Sequence, residues 1–197
     1  MAATVATPAA PALPAERFFR ASLSLLVLTS LLTLASTGKL DLITSAIAPL
    51  AALLKGYRLW HGRPAELSGR AATLCLLAYL VFFPVDAFFL SRFFLGGATN
   101  PPLFALLLAV VHFLIVAMLL RFYSASSDRD ALFLSMLAFA AILAAAILTV
   151  DTLFLTLFFL FLLCGISTFI ALELRRGAIG ALSPATANRG TEHKLNR

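Results

Sequence analysis

From residue 131 to residue 174 the sequence is almost unbrokenly apolar, and the one charge near the middle of that stretch is Asp151. A single helix over it would be on the order of 65 Å long at ~1.5 Å per residue, about twice the hydrocarbon thickness of a bilayer. The chain must therefore turn back. Thr149, Asp151 and Thr152 are the only polar residues near the middle, so they place the tip of a helical hairpin. Composition closes off the soluble alternatives. Hydrophobic residues make up 61% and charged residues 12% of the 197, against roughly 45–50% and about 25% in an ordinary soluble domain. A soluble fold of this length cannot hide so much apolar surface.

The same criterion finds four more apolar segments upstream of the hairpin. They cover 21–36 (extended at its start by Phe18 and Phe19), 42–54, 71–95 and 103–122; the hairpin arms are 131–150 and 152–174. A spanning helix needs about 20 apolar residues. The segment at 42–54 is short and contains Pro49. It becomes long enough when Lys55 and Arg58 snorkel to the surface and Tyr57 and Trp60 sit at the interface; the alternative is a re-entrant or interfacial helix. The expected fold class is all-α, a polytopic membrane helix bundle of about six transmembrane helices. Residues 1–16, rich in Ala, Pro and Thr, read as a disordered arm, residues 17–176 as the membrane domain, and residues 177–197 as a polar cytoplasmic tail.

An even number of spans puts both ends on one side, and the basic residues say which. With the N-terminus inside, all of the 15 Lys+Arg except Lys39 and Arg92 fall on inner segments, as the positive-inside rule requires. This count supports the short second span, because omitting it would scatter the basic loops over both sides. The formal charge of +6 is thus mostly a topology signal. No basic patch combines with stacking aromatics on a soluble module, so nucleic acid is not an expected partner. The lipid bilayer is.

Few residues carry chemistry. His112 lies midway along the fourth segment and so near mid-bilayer, where an ionisable group is a functional candidate by default. The competing reading is a neutral imidazole hydrogen-bonded to another helix. Asp86 follows Pro84, roughly 24 Å along the third segment from Arg70, which places it close to the outer interface beside Arg92. Asp41, Asp86 and Asp151 all fall at the outer face, as solvated turn residues or as contacts for an outer partner. Cys75 and Cys164 read as buried, inert thiols, and Gly96-Gly97 before Asn100-Pro101-Pro102 as an outer turn. Ala140/Ala144 and Ala141/Ala145, with Gly165, Ser167 and Thr168, read as the packing surface between the hairpin arms. Ser127 or Asp128 can cap the fifth helix, and Arg175 and Arg176 close the sixth. No residue is assigned a catalytic, cofactor-binding or metal-ligating role, and no cofactor is expected.

The second half carries a pattern. A spanning helix ends in Leu120-Arg121-Phe122 and is followed by Ser127-Asp128-Arg129-Asp130-Ala131-Leu132. An Ala/Leu hairpin then contains Ala144-Ala145-Ala146-Ile147-Leu148-Thr149-Val150-Asp151, and the exit runs through Thr168-Phe169-Ile170 to Glu173-Leu174-Arg175-Arg176. Over about residues 104–176, and more loosely over 17–95, this resembles the N-terminal membrane region of bacterial TgpA-type transglutaminase-like proteins (protein-glutamine gamma-glutamyltransferases). The resemblance implies a bundle of N-terminal helices, then an external domain with a Cys-His-Asp site, then a last helix. This sequence reaches Arg197 before any such domain, and no position in it matches the catalytic motif. The expectation is a truncated or split gene product, or a stand-alone homologue of the membrane part.

Three roles follow. The first is a membrane-anchoring module that is not a catalyst by itself, its outer partner a transglutaminase-like domain or subunit. The second is a small transporter or lipid-handling protein with His112 and Asp86 on its pathway. The third is an assembly partner that docks an external subunit on its outer loops.

Overall fold

The computed structural model describes residues 14–61, 67–90, 102–125, 127–149 and 151–195, the last of these beyond residue 177 through its backbone. The helices are α1 (Pro14–Ser36), α2 (Leu42–Trp60), α3 (Gly69–Val85), α4 (Pro102–Ser124), α5 (Asp128–Leu148) and α6 (Thr152–Leu195); a π-helical turn, Asp86–Leu90, continues α3. The fold is all-α, and among the described residues six helices are long and apolar enough to cross a membrane.

The first helix is the hub. α1 packs against α2, α5 and α6, while α3 packs on α4 and its π-turn. Along α1 the buried positions Leu23, Leu26, Val27, Leu31 and Leu34 recur at helical spacing, interleaved with buried Ser22, Thr29, Ser30 and Thr33. A buried hydroxyl without a partner is costly. Each of these bonds a carbonyl three or four residues back: Ser22 to Phe19, Thr29 to Leu25, Ser30 to Val27 and Thr33 to Thr29. Small side chains that satisfy themselves let neighbouring backbones approach.

The small-residue stripes of the hairpin serve the same hub. On α5 the buried set Leu134, Ala138, Ala141 and Ala145 forms one stripe. On α6 a Cβ added at Gly165 would lie 3.8 Å from Leu26 of α1, and Thr168 and Ala171 are buried. The expectation that these residues pack the hairpin arms on each other is corrected: both arms lean on α1, and they touch one another much less. A helix inserted between the arms buries two small-residue faces at once.

Local signals set the ends. Ser127 and Asp130 form a capping box at the start of α5. Asp151 caps α6 through the Phe154 N–H at 2.7 Å, so the hairpin turns where its polar residues lie. Asp41 caps α2 through the Thr44 N–H at 2.8 Å. The second span is a continuous helix of 19 residues through Pro49.

Four expectations need correction. Glu16 belongs to α1 and not to a disordered arm, since its carboxylate holds Arg20 at 2.7 Å; residues 1–13 lie outside the described residues. α6 does not end at Arg176 but continues as backbone helix to Leu195, so Arg175 and Arg176 act sideways rather than as terminal caps. Cys75 is exposed on the bundle exterior, not buried. Lys55 does not snorkel; it is 4% exposed. The glycine–proline turn expected at 96–101 and the Arg92 neighbour expected for Asp86 also lie outside the described residues.

Candidate functional site

His112 has a carboxylate partner at each ring nitrogen. Its Nδ1 lies 3.1 Å from Asp86 Oδ2 and its Nε2 lies 3.1 Å from Asp41 Oδ1. Tyr79 donates its hydroxyl to Asp86 Oδ2 at 2.7 Å. The imidazole thus bridges the start of α2 to the junction of α3 and its π-turn. Asp86 is only 2% exposed, which overturns its reading as a solvated turn residue. A π-turn often marks a functional site; here it sits next to Pro84, which lacks the N–H that a regular helix would use.

The two depth readings, mid-bilayer for His112 and outer interface for Asp86, cannot both hold for residues in contact. Each depth rests on position along its own helix, and the contact between Asp86 and His112 sets the two at one level. Asp41 adds a third constraint. His112 lies about 15 Å along α4 from its first turn, and its contact with Asp41 brings the connection between α1 and α2 alongside that point.

Hydrogen-bond chemistry limits what this cluster can be. An ionised carboxylate only accepts, and a neutral imidazole donates from one nitrogen alone. With a carboxylate oxygen facing each ring nitrogen, two protons are needed for the two contacts. Either the ring is an imidazolium between two carboxylates, or the ring is neutral and one carboxyl carries a proton. The two forms differ by a proton shift along a 3.1 Å line. For Asp41, burial pushes the carboxyl up, but the Thr44 backbone and side chain and the neighbouring His112 outweigh it and hold the group below its usual value of 3.8. Among the described residues no group of three or more His, Cys, Asp or Glu is arranged to hold a metal ion.

At the opposite end of the bundle a second constellation joins three helices. Arg175 of α6 places Nη1 2.5 Å from Asp128 Oδ1 and Nε 2.5 Å from Glu16 Oε2. The Glu16 contact is an ion pair and not an aligned hydrogen bond. Arg176 adds a 3.5 Å contact to Asp128, and the Arg175 guanidinium lies 5.2 Å from the Phe19 ring centre. This clasp fastens α1, α5 and α6.

Lys55 forms the third polar contact. Its ammonium donates to the Phe122 carbonyl in the last turn of α4 and lies 4.6 Å from the Phe122 ring centre and 5.1 Å from that of Tyr123. The last four carbonyls of a helix have no intrahelical partner and mark its negative end. The Tyr123 carbonyl takes the Leu67 N–H at 3.0 Å, and the Tyr123 hydroxyl returns to the Ala51 carbonyl at 2.8 Å. α2 and the start of α3 therefore close the end of α4.

The sequence singled out His112 and Asp86, and the structure brings those two together. The sequence offers Asp41 only as an outer-face residue and Lys55 only as a snorkelling one, and does not single out Tyr79. Tyr79 had a signal: it stands seven residues before Asp86, two helical turns away on the same face. Asp41 and Lys55 had none, because their partners are on a distant helix. Compared with protein-family models, curated proteins and solved structures, the chain matches none.

Proposed function

We propose that the chain is a membrane-anchoring module of the transglutaminase-like kind, set in a bacterial inner membrane with both termini cytoplasmic. The observation that carries this reading is the clasp. The resemblance rests on Ser127-Asp128-Arg129-Asp130 before the hairpin and Glu173-Leu174-Arg175-Arg176 after it. Two of those residues, Asp128 and Arg175, meet at 2.5 Å and tie the hairpin to Glu16 of α1. A motif whose charged residues fasten helices has a holding role. Such a module would present its outer turns to an external transglutaminase-like domain or subunit. The basic residues gathered on inner segments support the orientation.

The test is acyl transfer from glutamine by the purified chain in detergent or vesicles. The expected result is no turnover above a no-protein control. Turnover above that control, and above all turnover that a Cys75→Ala/Cys164→Ala double variant loses, would overturn the reading.

A second reading, proton or solute handling, is favoured by the Asp41–His112–Asp86–Tyr79 row. It expects vesicles holding the chain and a trapped pH-sensitive dye to dissipate an imposed pH gradient several-fold faster than empty vesicles, with His112→Leu abolishing the excess. Equal rates with and without the protein would remove this reading and leave the cluster as a fastening between helices.

A further inference from the structure

A groove of ≈ 1090 Å³ runs between α1 and α2, from the clasp end toward the middle of the bundle. Its two ends differ in chemistry. At the clasp end it is lined by Arg17, Arg20 and His61, and deeper in by Leu25, Leu28 and Leu53. Trp60, also a lining residue and 78% exposed, stands at the mouth. Tryptophan at that position is the usual mark of the level where headgroups meet hydrocarbon.

Charge decides the occupant. Glu16 also lines the groove, but its two carboxylate oxygens are taken by Arg20 at 2.7 Å and Arg175 at 2.5 Å. Two arginines thus face one carboxylate that is already shared with a third, and the mouth is net positive. Arg17 is exposed there. From Arg17 to Leu28 the groove follows α1 for about 16 Å, enough for a phosphate-bearing headgroup and the first half of an acyl chain. A free anion would leave the leucine wall unused, whereas a phospholipid uses both ends. Basic pockets between membrane helices take anionic headgroups in this way.

We propose that this groove is a binding site for an anionic phospholipid, its phosphate against Arg17 and Arg20 and its acyl chain along Leu25, Leu28 and Leu53. The site is distinct from the His112 cluster and does not depend on the anchoring role.

The chain contains one tryptophan, Trp60, so its fluorescence reports on the mouth of the groove without labelling. The full chain is reconstituted in phosphatidylcholine vesicles carrying, at equal mole fraction, either brominated phosphatidylglycerol or brominated phosphatidylcholine. Quenching is expected to show the anionic lipid associating about 5-fold or more better than the zwitterionic one, the size that one basic residue near a membrane surface produces. Arg17→Gln and the double variant Arg17→Gln/Arg20→Gln should bring the ratio toward one. Quenching by brominated phosphatidylcholine should be retained in each, which certifies that the variant is inserted. If the double variant fails to insert, Arg17→Gln alone carries the test, because it leaves the Arg20–Glu16 pair intact. Arg58, exposed near the same end but not lining the groove, supplies the control. Arg58→Gln should leave the ratio unchanged. Equal quenching by the two lipids in the parent chain overturns the site, and so does an Arg58→Gln loss as large as that of Arg17→Gln, which would mean diffuse attraction.

Discussion

Replacing His112 with leucine is expected to destabilise the bundle by about 3–5 kcal/mol, the range for removing one partner of a buried ion pair. Leucine fills the space, so the loss comes from the two carboxylates left behind. Asp86, 2% exposed, would keep only part of its polar shell, the Tyr79 hydroxyl among it. Asp41 would keep the Thr44 N–H. Two acidic groups brought to one point without the ring between them must repel or take up protons. Reversible unfolding in mixed detergent micelles measures this. The double variant His112→Leu/Asp86→Leu should recover part of the loss, because a well-packed apolar pair can match a buried ionic one. A single variant within about 0.5 kcal/mol of the parent, the spread of ordinary surface substitutions, would show that the cluster does not hold the fold. The acid limb gives an independent check. Because the folded Asp41 carboxyl is held below its usual value of 3.8, its contribution is complete above that value and is lost as pH falls through the lower folded one. Asp41→Asn should flatten that part of the profile.

Lys55→Ala is expected to cost about 3 kcal/mol by the same measurement. A hydrogen bond from a charged donor contributes roughly 1.5–3 kcal/mol, and a desolvated cation over an aromatic face about 2. Relief of burying an ammonium offsets some of this. The carbonyl of Phe122 would lose its Lys55 donor at the negative end of α4. Lys55→Met separates the causes: it restores the stem but not the charge, so it should recover less than half of the loss. Full recovery in the methionine variant would mean that packing of the stem, and not closure of α4, is what Lys55 supplies.

These two residues also show what a linear reading can reach. The spans were legible because the requirement is one-dimensional: a run of apolar residues long enough to cross, bounded by residues that turn. Asp151 and Ser127 announced the helix starts they form, since caps act within three or four residues. His112 and Asp86 stood out because an ionisable group in an apolar run is unusual. Their pairing was not legible. It depends on how α3 is set against α4 and on the α1–α2 connection bringing Asp41 to His112. Lys55 was misread for the same reason. At a helix end a lysine ordinarily reaches for water, and only the proximity of the α4 terminus supplies a carbonyl and two ring faces instead. Neighbours in sequence, the hairpin arms suggest pairing with each other; the helix between them is α1, far away in the sequence.

That last arrangement sets an order of events. α1 is synthesised before α5 and α6, yet the surfaces that bury it belong largely to those two. Until they arrive it must rest in lipid with a face that carries Ser22, Thr29, Ser30 and Thr33. Because each of those hydroxyls is already bonded to its own helix, the waiting helix shows lipid few unmet polar groups. Arg175, near the end of the last span, then reaches Glu16 at the start of the first. Assembly of the six helices thus ends by fastening the last of them to the first.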